Sequence, residues 1–254
     1  MGYLRLLYRL PLLLLHIFVG TPLTVMCQYR PLSGIRFGGG ALPGRAAASW
    51  GRNLCRIFGL RLRVHGTVPP GPQLVVANHI SWIDIPLLFS VAPLSFVSKA
   101  EIASWPVIGF IAKSGNTVFH QRGNHDSAHG VAAVMKERLE EGGNVAIFPE
   151  GGILAGPGVK RFHGRLFAAA IETGVPVQPL MLRYVRNGQH EHDMTFLPGE
   201  HFVGNFFRLL RQPPCDAEVA VLDRIDPRGK QRRLLANEAG QAVREAFDRE
   251  LQDD

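Results

Sequence analysis

The chain has 254 residues, 46% of them hydrophobic, and a formal net charge of +7. A globular protein with a substantial core, in one large domain or two small ones, is expected. Its three cysteines, Cys27, Cys55 and Cys215, lie far apart and form no CxxC spacing, which excludes a disulfide framework and a thiolate metal site.

The basicity is an N-terminal property. Residues 1–83 hold nine arginines and no acid, so the rest of the chain sums to −2. Those arginines, Arg5, Arg9, Arg30, Arg36, Arg45, Arg52, Arg56, Arg61 and Arg63, flank or follow an apolar run. The pattern suits an anionic membrane surface better than a nucleic-acid groove, and no nucleic-acid partner is expected; a solvated basic face is the plainer alternative. The run itself, "LPLLLLHIFVGTPLTVMC" at 10–27, has no formal charge. As a helix it extends about 27 Å, close to the hydrocarbon thickness of a bilayer. Pro11 fits a helix start, whereas Gly20 and Pro22 weaken the second half and His16 is polar in mid-run. A kinked, partly inserted helix therefore competes with a spanning one. A cleaved secretory signal fits less well, because no small-x-small site follows promptly. Residues 1–29 are read as a hydrophobic membrane anchor, 30–45 as a basic Gly/Pro-rich linker and 46–254 as the main domain. The dense arginines after the anchor favour a globular part on the cytoplasmic side of the inner membrane.

A helix is predicted over 46–58, followed by strands at 74–77, 95–98, 117–119, 144–148, 177–184 and 218–222 with helical segments between them. Val131, Val134, Met135 and Leu139 give the helix at 126–141 one buried stripe, which stops at Gly142 and Gly143. Leu235, Ala239, Ala242 and Ala246, beside Val243, Phe247 and Leu251, give the helix at 230–251 another. Such alternation predicts an α/β fold: a mixed, largely parallel sheet flanked by helices, with ligands at the carboxyl ends of strands.

The stretch "LVVANHISWIDIPLLF" places His79 and Asp84 just past the first of those strands. A loop turning into the helix "DIPLLF" can hold the carboxylate against one imidazole nitrogen and leave the other free to accept a proton from an alcohol. Residue types alone leave a structural His/Asp hydrogen bond and a catalytic pair both open. Asn78 can orient the loop, and Ser81 and Trp82 pack or cap locally. There is no GxSxG elbow, and His120, His125, His129, His190, His192 and His201 lack a coherent metal-ligand spacing.

The motif NHxxxxD is joined in order by "TVFHQRG", "VAIFPEGG" and "VPVQP". This ordered set resembles the glycerolipid acyltransferase family that includes the 1-acylglycerol-3-phosphate acyltransferases, over roughly residues 50–184. The resemblance implies transfer of a fatty acyl group from acyl-CoA or acyl carrier protein to a hydroxyl of a lyso-lipid. No other cofactor and no metal is implied. It assigns the base to His79 and its carboxylate to Asp84, and it places Arg122 at the acceptor-binding arginine, although Asn116 stands where glycine is usual. In the third block Glu150 and Gly151 match, but members that bind glycerol phosphate commonly read EGTR, and here Gly152 and Ile153 replace Thr and Arg. Lys160 and Arg161 are the cations available to substitute, and His163 stands where lysine is frequent. In the fourth block, Pro176 and Pro179 bracket a strand entry.

The default acceptor is accordingly 1-acyl-sn-glycerol 3-phosphate, giving phosphatidic acid. The missing arginine and the stretch "FHGRLFAAAIETGVPVQPLMLRY" are also similar to the branch acylating lyso-ornithine lipid, a phosphate-free acceptor. Two other classes stay open: a non-catalytic lipid-surface binding protein and an acyl-thioester hydrolase.

Overall fold

The computed structural model describes residues 1–37, 40–104, 109, 112, 117–120, 125–153 and 158–252. The strands are β1 (Arg36–Phe37), β2 (Gly40–Ala41), β3 (Leu60–His65), β4 (Gln73–Ala77), β5 (Ser95–Lys99), β6 (Val118–His120), β7 (Asn144–Ile147), β8 (Val177–Arg186), β9 (Gln189–His190) and β10 (Cys215–Val221). The helices are α1 (Gly2–Leu15), α2 (Thr21–Met26), α3 (Leu42–Ile57), α4 (Asp84–Phe89), α5 (His125–Glu140), α6 (Ala168–Thr173), α7 (Phe202–Arg211) and α8 (Arg232–Gln252).

The main sheet runs β3-β10-β8-β4-β7-β5-β6, with β9 paired to β8. All its neighbours are parallel except β10 with β8 and β8 with β9, which is the mixed, largely parallel architecture predicted. β4 sits at the centre with all five residues buried. Its two-residue period divides the core. Val75 and Ala77 pack with Leu54, Phe58, Leu87 and Leu209 on the α3/α4/α7 face, while Leu74 and Val76 pack with Met135, Leu139, Ala170 and Val243 on the α5/α6/α8 face.

Four details depart from expectation. The edge strand β3, "LRLRVH", escaped notice because its outward positions are arginines; Arg61 and Arg63 both reach Asp216 on β10, at 2.6 and 2.8 Å. Val134 is 36% exposed, because the buried stripe of α5 runs through Val131, Met135 and Leu139 at strict four-residue steps. The apolar helix starts at Gly2, not at Pro11, and continues through a π-helical turn at His16–Gly20 into α2, whose start accommodates Pro22. Arg5 and Arg9 are not lipid-facing. The Arg9 side chain is buried and donates to the Leu210 and Gln212 carbonyls at 3.1 and 2.9 Å, and Arg5 reaches the Arg211 carbonyl. The last carbonyls of α7 lack helical partners, and a guanidinium satisfies them where the helix dipole is negative.

The stretch 30–45 carries the β1/β2 hairpin and the first turn of α3. α3 crosses α4 closely at Gly51, where a Cβ would stand 2.4 Å from the Pro86 carbonyl oxygen and 3.2 Å from Phe89 Cβ. Only glycine allows this approach, which presses α4 and its first residue, Asp84, onto the sheet. Gly51→Ala is expected to cost about 1–3 kcal/mol by overpacking, read as a lower denaturation midpoint of the detergent-solubilised protein.

Candidate active site

β4 ends at Ala77, and the chain crosses to α4 through Asn78–Ile83. Asn78 extends the sheet with a side chain: its amide donates to the Leu182 carbonyl (2.9 Å) and accepts from the Leu182 N–H (2.8 Å). That fixed residue sets the direction of His79. The His79 Nδ1 lies 2.9 Å from Asp84 Oδ2, which also accepts the backbone N–H groups of Ile80 (2.7 Å) and Ser81 (2.9 Å). A carboxylate receiving these donors is an acceptor only, so Nδ1 carries the proton and Nε2 keeps its lone pair. The imidazole is 15% exposed and stacks on Phe148 at 3.9 Å between ring centres, whereas Asp84 is fully buried.

Asp84 Oδ1 accepts the Tyr184 hydroxyl at 2.6 Å. Burial, with Asp84 beside it, pushes the Tyr184 phenol well above its usual range, so it remains a donor. Tyr184 was not singled out from the sequence because it is 100 residues from its partner. The available signal was a phenol inside an otherwise buried strand, which needs a hydrogen-bond partner. Trp82 packs against Phe58 and Phe206 and donates to Asn205 at 2.9 Å, tying the loop to α7.

Glu150 follows β7 on the same edge of the sheet as His79. It is 5% exposed, and neither carboxyl oxygen has a hydrogen-bond partner among the described residues. The backbone N–H groups of His79 and Lys160 face the carboxyl and favour its charge, yet no hydrogen bond closes. Burial dominates and pushes its pKa up to about 8. Gly151 has φ +76°, a left-handed conformation that suits glycine, and lies against the His163 ring. The Lys160 Nζ donates to the Ile153 carbonyl at 3.2 Å. Thus His79, Asp84, Glu150, Gly151 and Lys160 gather at one place. Arg161 is exposed and forms no hydrogen bond or ion pair among the described residues. Arg122 lies outside the described residues, as does Asn116.

Residues 61–183, which contain His79, Asp84, Glu150, Gly151 and Lys160, match the model of the family described as Acyltransferase. A lyso-ornithine lipid O-acyltransferase of Pseudomonas aeruginosa is 41% identical over 78% of this chain and 76% of its own length. The chain belongs to the acyltransferase family. A second relative, the 1-acyl-sn-glycerol-3-phosphate acyltransferase of Neisseria meningitidis serogroup B, is 37% identical over 55% of this chain and 56% of its own. The crystal structure of the 1-acyl-sn-glycerophosphate acyltransferase PlsC from Thermotoga maritima superposes with a TM-score of 0.72 over 99% of this chain and 95% of that one. At 20% identity it shows that the acyltransferase shares the PlsC fold.

Tyr184→Phe would leave Asp84 Oδ1 without this donor and is expected to cost about 1–3 kcal/mol; an unchanged denaturation midpoint would contradict the role. Glu150 holds its proton above its ordinary range, so the folded state binds more protons than the unfolded state between pH 4.5 and about 8. Its contribution is fully present below pH 4.5 and is lost as pH rises through about 8. Melting midpoints measured across that window are expected to fall more steeply with pH for the wild type than for Glu150→Gln.

Proposed function

We propose that this acyltransferase moves a fatty acyl group from acyl-CoA or acyl carrier protein to the hydroxyl of lyso-ornithine lipid. His79 Nε2 takes the proton of the acceptor hydroxyl, and Asp84 holds the tautomer and stabilises the imidazolium. The oxygen attacks the thioester carbonyl, the new C–O bond forms, the C–S bond breaks, and the departing thiolate recovers the proton from the imidazolium. No covalent acyl-enzyme is required. The thioester supplies the driving force.

The observation that carries the acceptor choice is the loop Glu150–Ile153. Its buried carboxyl has no hydrogen-bond partner among the described residues, and Gly152 and Ile153 stand where phosphate-binding members are expected to have Thr and Arg. An arginine contact to phosphate is worth about 1.5–3 kcal/mol, and this loop lacks it. Ornithine instead presents an ammonium group, which pairs with Glu150 and draws its proton off. The 41% identity to the Pseudomonas lyso-ornithine lipid enzyme supports the same choice. It reverses the order reached from motifs alone, in which glycerol phosphate came first. Arg122, Gly151, Lys160 and Arg161 complete the proposed headgroup site.

The proposed location is the cytoplasmic face of the inner membrane. The helix over 2–26 is long and apolar enough to cross a bilayer, but it lies docked on the domain: Arg9 is buried against α7, and Trp50 of α3 bonds Thr21 at 3.1 Å. Its free side exposes Leu4, Leu7, Leu15 and Phe18. We place that side, within residues 1–29, in the lipid as a helix lying along the membrane rather than through it.

With lyso-ornithine lipid and 1-acylglycerol 3-phosphate offered side by side with a labelled acyl thioester, product from the ornithine lipid should predominate. His79→Ala is expected to reduce turnover at least about a hundredfold without loss of folding. Phosphatidic acid as the main product would overturn the acceptor; free fatty acid released regardless of acceptor would indicate a thioester hydrolase.

A further inference from the structure

Beyond the proposed headgroup site, the Glu150–Ile153 loop adjoins a second, strongly basic feature. His163 N–H bonds the Pro149 carbonyl at 2.9 Å, and the His163 ring lies against Gly151, so the chain leaves the catalytic edge through His163 into a 3₁₀ turn at Gly164–Phe167. A Cβ on Gly164 would stand 2.8 Å from the Arg232 carbonyl oxygen and 3.3 Å from Arg233 Cα. The bare glycine lets the turn lie directly on the start of α8, which brings Arg165 beside Arg232 and Arg233. His163, Gly164 and these three arginines line a cavity of about 400 Å³ with no carboxylate in its wall.

The arginines there are not ion-paired among the described residues, although Glu172 lines an adjoining cavity with Arg232 and Arg233. Arg165, Arg232 and Arg233 form no hydrogen bond or ion pair through their side chains among the described residues. Neighbouring cations are neutralised: Lys230 by Glu238 at 2.6 Å and Arg228 by Asp226 at 2.6 Å. Arg232 and Arg233 also occupy the first turn of α8, which holds no acid, so they sit at the positive end of the helix dipole. Three guanidinium groups around one cavity repel one another, and a phosphate group relieves that repulsion with planar, paired hydrogen bonds.

The cavity lies on the α5/α6/α8 side of the sheet, whereas the exposed apolar helix packs on the α3/α7 side. Lipid and anion would thus reach His79 from opposite faces. In the reaction proposed above, on which this inference rests, the acceptor lacks phosphate, so the phosphate belongs to the acyl donor. We propose that Arg165, Arg232 and Arg233 form a phosphate site for the phosphopantetheine arm of the donor, the chemistry that acyl-CoA and acyl carrier protein share.

The test compares full-length wild type with the double variant Arg232→Gln/Arg233→Gln, using acyl-CoA, acyl carrier protein thioester and an acyl-N-acetylcysteamine thioester that has no phosphate. The ratio of kcat/KM for a phosphate-bearing donor over the phosphate-free one is expected to fall at least tenfold, through donor KM. A fall with acyl-CoA alone assigns the site to that donor, and a fall with the carrier protein alone to the carrier. An unchanged ratio, or a rise in acceptor KM instead, overturns the proposal. Titration with CoA and with pantetheine needs no turnover: CoA should bind wild type at least tenfold tighter than the variant, with no such gap for pantetheine. Equal CoA affinity for both proteins refutes the site whatever the activity, while intact, arginine-dependent CoA binding without acyl transfer to any lipid faults the reaction and not the site.

Discussion

The Asp84 carboxylate is the point on which the site depends. It is fully buried, a state that costs several kcal/mol for an unpaired charge, and its two oxygens receive the His79 ring, two backbone N–H groups and the Tyr184 hydroxyl. These donors come from two places, the loop after β4 and the far half of β8, while the carboxylate itself stands in the first turn of α4. Satisfying the carboxylate therefore also sets the loop's path, the imidazole's tautomer and the seating of α4. The same arrangement leaves one ring nitrogen outward, which is the chemistry a general base needs. Gly51 and Asn78 belong to this construction, although neither touches the pair. One lets α3 press on α4, and the other ties the loop to β8.

The two faces of the sheet divide the proposed work. One carries the apolar N-terminal helix, held by Arg9 and Trp50; the other carries α8 and the arginine cavity. His79 and Glu150 lie at the carboxyl ends of adjacent parallel strands, β4 and β7, so both are reached from the shared edge. An acyl donor with a charged carrier and a lipid with a buried tail have opposite solvent needs. A site on the rim between two differently covered faces accommodates both.

Glu150 shows how far motif reading reaches. Its position in the FPEG block was legible, but its state was not. The rise of its pKa to about 8 follows from burial, which outweighs the His79 and Lys160 amides facing it and has no sequence signature. Arg5 and Arg9 make the same point. A charge run beside an apolar run fits lipid headgroups, yet α7, roughly two hundred residues away, supplies the carbonyls that claim these two guanidinium groups.

The sequence by itself determined the strand and helix alternation, the His79/Asp84 pair five positions apart and the departure at Gly152 and Ile153. These features are local, written in periodicities and short spacings that chain geometry translates directly. Tertiary structure alone decided that Tyr184 completes the carboxylate's shell, that Arg9 is buried, and that Arg165 meets Arg232 and Arg233 across a glycine contact. Those pairings join residues far apart in the chain. They exist only because sheet order and helix packing bring the segments together, and no local pattern encodes which distant segment will arrive.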